Sequence, residues 1–80
     1  MNRLKYEYDQ EADAIYIYIS DVQYAYGKDL DEDRRIDYDI NGQPIGVELL
    51  SVSEGVIPDD LPCQNQIEQI LTDLNIKIFA

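Results

Sequence analysis

Asp37, Asp39, Asn41, Gly42 and Glu48 occupy positions one, three, five, six and twelve of the calcium-loop pattern D-x-[DN]-x-[DN]-G-x5-E. Such oxygen donors around a sharp glycine turn would chelate a hard cation. The same residues also read as two alternating strands joined by Asn41-Gly42, a strong hairpin signal. Two features favour the hairpin. A calcium loop of this kind needs amphipathic helices on both sides, whereas Arg34–Ile36 and Leu49–Ser53 have strand patterning. Pro44, at position eight, also lacks the amide donor that position normally offers. No metal site is therefore expected. Asp37 and Asp39 are a carboxylate pair on one strand face, suited to acid–base chemistry, but so short a chain shows no cleft to hold a substrate. Asp29, Asp31, Glu32 and Asp33 could face a cation or a basic partner, although a like-charge block more often stays solvated. Cys63 is a helix-start or core residue with no base or resolving cysteine beside it. The chain has no histidine, no Ser/His or Cys/His pairing and no phosphate-cradling glycine loop. An enzyme is not expected, and no catalytic residue, cofactor or small-molecule substrate is assigned.

The remaining chemistry is that of surfaces. Seventeen acidic residues against six basic ones give a net charge of −11 and a pI near 4.1. That field repels nucleic acid and anionic membranes and attracts basic proteins. Tyr16, Tyr18, Tyr24 and Tyr26 are candidates for a recognition surface, because tyrosine gives large contact area at low entropic cost; the plainer reading is that tyrosine suits strands. Leu50 and the acidic residues Asp31, Glu32 and Asp33 complete the candidate interface. Eighty residues make one domain, and a domain this small buries only roughly 60–65% of its unfolded surface. A single cysteine allows no internal disulfide. Support is expected from a protein partner or a second copy of the chain. With no apolar leader and no membrane span, a cytoplasmic address is expected.

These residues need a scaffold, and periodicity supplies one. Leu4–Tyr8 alternates and reads as a strand. Ala14–Ile19 sets Ile15, Ile17 and Ile19 against Tyr16 and Tyr18, which suits a strand inside a sheet. Val22, Tyr24 and Tyr26 share a parity and suggest a third strand ending at Gly27, followed by a charged loop over Lys28–Asp33. In Arg34–Ile40, Ile36, Tyr38 and Ile40 point one way. A two-residue turn at Asn41-Gly42 would pair Tyr38 with Ile45, Ile36 with Val47, and Arg35 with Glu48. Asp60 as cap and Pro62 in the first turn point to a helix over about 60–74. Its stripe of Ile67, Ile70, Leu71 and Leu74 would cover the isoleucine face, and Asn75 would stop it. Residues 75–80 form a tail. The expectation is an α+β domain: an antiparallel sheet of four to five strands over about 4–52, with one C-terminal helix on one face.

Tyr8-Asp-Gln-Glu-Ala-Asp-Ala-Ile-Tyr-Ile17, Arg35-Ile-Asp-Tyr-Asp39, Gly46-Val-Glu-Leu-Leu-Ser51 and Ser53-Glu-Gly-Val56 resemble a small bacterial family called domain of unknown function 2283. Its pattern is a Y-D-x-E-A-D-A-(aliphatic)-Y-(aliphatic) opening, then D-Y-D…G and a G-(aliphatic)-E-(aliphatic) strand. The resemblance transfers no catalytic residue. It implies an antitoxin-like role beside a small ribonuclease-like protein. The expectation is an acidic protein-binding module that inhibits a small basic protein encoded nearby; the alternative is a self-associating structural protein, dimerising through Tyr16, Tyr18 and Leu50.

Overall fold

The computed structural model describes residues 4–79. The last residue of the predicted tail, Ala80, lies outside them, as do residues 1–3. Five strands, β1 (Lys5–Asp9), β2 (Ala14–Tyr18), β3 (Tyr26–Asp29), β4 (Arg34–Tyr38) and β5 (Pro44–Leu50), form one antiparallel sheet in the order β1-β2-β5-β4-β3. A short 3-10 turn (Val52–Glu54) and helix α1 (Gln64–Asp73) follow. The fold is α+β, with the helix on one face.

Alternation decides what each face carries. Ile15, Ile17, Ile36, Val47 and Leu49 share the helix side and are buried against Ile67, Ile70 and Leu71 of α1. Val52, Val56, Leu61 and Ile76, from the segments around the helix, complete that core. β5 is the middle strand, and Ile45, Gly46, Val47 and Leu49 along it are buried.

Several sequence expectations need correction. The third strand is Tyr26–Asp29, not Val22–Tyr26. Lys28 and Asp29 are tolerated in it because an edge strand keeps charged side chains in water, and an edge lysine discourages further pairing. The hairpin holds, with Ile36 opposite Val47 and Arg35 opposite Glu48, but Tyr38 pairs with Pro44 rather than Ile45. The turn is longer than two residues. Asp39 donates its amide to the Gln43 carbonyl, and the Asp39 carbonyl accepts from Gly42, whose φ is 78°. The Asp39 carboxylate accepts from the amides of Asn41 and Gln43, each at 2.9 Å. Ile45 becomes the extra residue of a bulge. Ile40, expected on the buried side, is 84% exposed at the turn tip.

The helix begins at Gln64, not near residue 60. Asp60 takes a left-handed φ of 67° instead of capping, and Cys63, also left-handed, is the exposed N-cap without a side-chain bond. Pro58 and Leu61 are buried beneath this approach. The C-terminus follows expectation. Asn75 has φ 60°, its amide reaches the Thr72 carbonyl, and Ile76 reaches that of Leu71, which is the Schellman arrangement. The tail then makes a parallel bridge, Val56 with Ile78.

Candidate functional site

The face away from α1 has no layer over it among the described residues. It presents Lys5, Glu7 and Asp9 from β1, Tyr16 and Tyr18 from β2, and Glu48 and Leu50 from β5. Arg35 and Asp37 from β4 and Asp29 from β3 complete it. These side chains form a polar belt across all five strands. Tyr18 donates to Glu7. Its ring meets Tyr16 edge-on, centroids 4.8 Å apart. Tyr16 reaches over β5 to donate to Asp37 Oδ2 at 2.7 Å. The other oxygen, Asp37 Oδ1, is buried and faces Arg35 Nε at 3.4 Å, a charge contact without hydrogen-bond alignment. Arg35 continues to Asp29 at 3.1 Å and to the Tyr24 hydroxyl at 3.3 Å.

Two glycines let the belt lie flat. A side chain at Gly46 would overlap the Tyr16 ring, and one at Gly27 would overlap the Arg35 guanidinium. Burial raises the Tyr16 pKa, reinforced by the hydrogen bond to Asp37, where a phenolate would face a carboxylate. The hydrogen bond to Glu7 raises that of Tyr18. Bonds to Tyr24 and then Asp29 hold Arg35 more firmly protonated. The belt offers phenol edges, carboxylates and Leu50 to a partner surface.

The sequence-predicted interface residues separate into three groups. Tyr16, Tyr18, Tyr24 and Leu50 belong to the open face, with Tyr16 half-buried. Tyr26 lies on the helix side of the sheet, stacked on Tyr38 with centroids 5.2 Å apart. Asp31, Glu32 and Asp33 form the exposed β3–β4 turn. There Asp31 accepts from the Asp33 amide and from Arg34 Nε, both near 3 Å. Burial opposes ionisation of Asp31, but the Asp33 amide and Arg34 outweigh it and lower its pKa.

Sequence reasoning missed two tethers. Arg34 sends one guanidinium nitrogen to the Ile57 and Asp59 carbonyls at 2.9 and 2.7 Å, tying β4 to the approach to α1. Asp13, left-handed at φ 56°, accepts from the Ser53 amide and hydroxyl, locking the β1–β2 turn to the end of β5. Neither has a local signal, since each partner is more than 20 residues away. The stretch 37–48 is a hairpin, not a helix-flanked loop: Asp37 is taken by Tyr16, and Asp39 by its own turn. Among the described residues no group of three or more His, Cys, Asp or Glu side chains is placed to hold a metal ion, and no helix is long and apolar enough to cross a membrane.

Residues 5–53 match the family model described as Protein of unknown function (DUF2283), well over half of the 80 residues. The chain belongs to this family. No curated protein and no solved structure matches it. The blocks that carry the resemblance meet in the belt: Tyr16 from the first, Asp37 from the second, Gly46 and Glu48 from the third. Asp9, in the first block, accepts from the Ala12 amide and shapes the β1–β2 turn; Asp13 supplies the tether to Ser53.

Proposed function

We propose that this chain is an acidic protein-binding module, an antitoxin-like inhibitor that docks a small basic protein on its open sheet face. The observation that supports the reading is the composition of that face. Glu7, Asp9, Asp29, Asp37 and Glu48 stand against Lys5 and Arg35, around the exposed Tyr18 and Leu50. Complementary charge speeds encounter and selects basic partners, and the aromatic and aliphatic groups at the centre give contact area once water is displaced. A basic ribonuclease-like protein encoded beside this gene is the natural candidate, and inhibition would follow from covering its cationic substrate surface.

The test is co-expression with a neighbouring basic gene product and titration of the purified pair at several salt concentrations. We expect a one-to-one complex at low salt whose affinity falls as salt rises. Paired Tyr18→Ser and Leu50→Ser substitutions should weaken it at least about tenfold, roughly the loss of one interface anchor. A pair that does not associate at low salt, or associates equally well with both substitutions in place, would overturn the reading.

A further inference from the structure

β1 ends the sheet, and no described residue pairs with its outer edge. Lys5, Tyr6 and Glu7 on it are exposed, Tyr6 at 41%. An open groove of about 680 Å³ lies where β1 begins and β2 ends, lined by residues 4–7 and 18–21. An edge of this kind is a ready template for another strand, and the charge pattern of β1 identifies which strand fits. A two-fold antiparallel seam must centre on one residue facing its own copy. Centring on Lys5 sets the two lysines face to face; centring on Glu7 gives two Lys5–Asp9 pairs but sets the two Glu7 carboxylates against each other, which is destabilising. Centring on Tyr6 places Lys5 opposite Glu7 of the second copy, and Glu7 opposite its Lys5. Leu4 then faces Tyr8, and the two Tyr6 rings meet. The other edge lacks this property: no centring within Tyr26–Asp29 sets Lys28 opposite an Asp29.

We infer that two copies of this chain join β1 to β1 in an antiparallel seam centred on Tyr6, making one ten-stranded sheet. The strand is complementary to itself in charge, so a second copy is the occupant that the edge specifies. A two-fold axis perpendicular to the sheet keeps both open faces on the same side, leaving Tyr18, Arg35 and Asp37 free. The inference therefore stands or falls separately from the partner proposed above. A seam of five residues is smaller than a standard interface, so the dimer should dissociate on dilution.

Sedimentation equilibrium of the full chain over a wide concentration range tests this, with circular dichroism confirming that each variant is folded. Wild type should pass from monomer to dimer. Lys5→Glu should weaken the dimer at least about tenfold, because it turns two attractive cross-strand pairs repulsive. The swap Lys5→Glu with Glu7→Lys should restore it. Amide exchange supplies a readout that needs no variant: protection on β1 should rise with protein concentration. A wild type that stays monomeric, a folded Lys5→Glu chain that dimerises as well as wild type, or a folded swap that fails to recover would overturn the inference.

Discussion

Tyr16 joins three strands through one side chain. Its ring crosses β5 above Gly46, and its hydroxyl donates to Asp37 on β4 at 2.7 Å. Ionising that hydroxyl would lose the donor and set a phenolate against a carboxylate. Burial, then the Asp37 bond, raises its pKa above the ordinary 10.0. The sign of the linkage follows. Below the unfolded value the group is protonated in both states, and its stabilising contribution is complete. Above it the unfolded chain releases the proton first, so stability falls as pH rises toward the folded value. Melting temperature followed from about pH 8 to about pH 11 should therefore drop more steeply for wild type than for Tyr16→Phe. At neutral pH the Phe variant should be less stable by about 1 kcal/mol, since Asp37 loses a donor. Parallel alkaline slopes in the two proteins would show that the Tyr16–Asp37 bond carries none of this dependence.

The hairpin shows what could be read from residue types and what could not. Period-two alternation in Arg34–Tyr38 and Ile45–Leu49 correctly matched Ile36 with Val47 and Arg35 with Glu48, because register is set by which side chains must be buried. The helix stripe and the Asn75 stop were legible for the same reason: each rests on local spacing. The turn departs from the two-residue closure that Asn41-Gly42 predicts. Asp39 competes for it, its carboxylate accepting the Asn41 and Gln43 amides, and an Asx-type turn of this sort adds residues to the loop. β3 falls outside the Val22–Tyr26 parity because an edge strand needs no apolar alternation. The candidate site was half legible: parity put Tyr16 and Tyr18 opposite the core, but nothing local predicts that Arg35 and Asp37 would reach them across β5. The turn argument has a direct test. Asp39→Ala should cost about 1 kcal/mol in urea unfolding, because it strips the Asn41 and Gln43 turn amides of their shared acceptor. Asp39→Asn, which keeps an acceptor oxygen, should cost less. Amide exchange at Asn41 and Gln43 should quicken in the Ala variant alone. Equal stability in all three proteins would show that Gly42 suffices to hold the turn.

At the scale of the molecule, a net charge of −11 is confined within principal extents of 33 × 32 × 25 Å. The screening length is about 30 Å at 0.01 M salt and about 3 Å at 1 M. In dilute buffer every carboxylate therefore feels most of the others; in concentrated salt only contact pairs interact. Favourable contacts among the described residues include Arg34 with Asp31, and Arg35 with Asp29 and Asp37. They lie at or near the surface, where each contributes about 0–1 kcal/mol. Repulsion among seventeen acidic groups opposed by six basic ones is the larger effect, and salt should stabilise the monomer. The melting temperature should climb from low to high sodium chloride, and relief of about 1 kcal/mol would move it about 4–8 °C in a domain of this size. Low protein concentration keeps dimer formation from contributing. Docking of a basic protein on the open face should respond in the opposite direction, tight in dilute buffer and weak in salt, because there the same carboxylates attract. A melting temperature that falls with salt would show that the belt of ion pairs on the open face outweighs the repulsion, making Arg35, at its centre, the residue whose removal costs most.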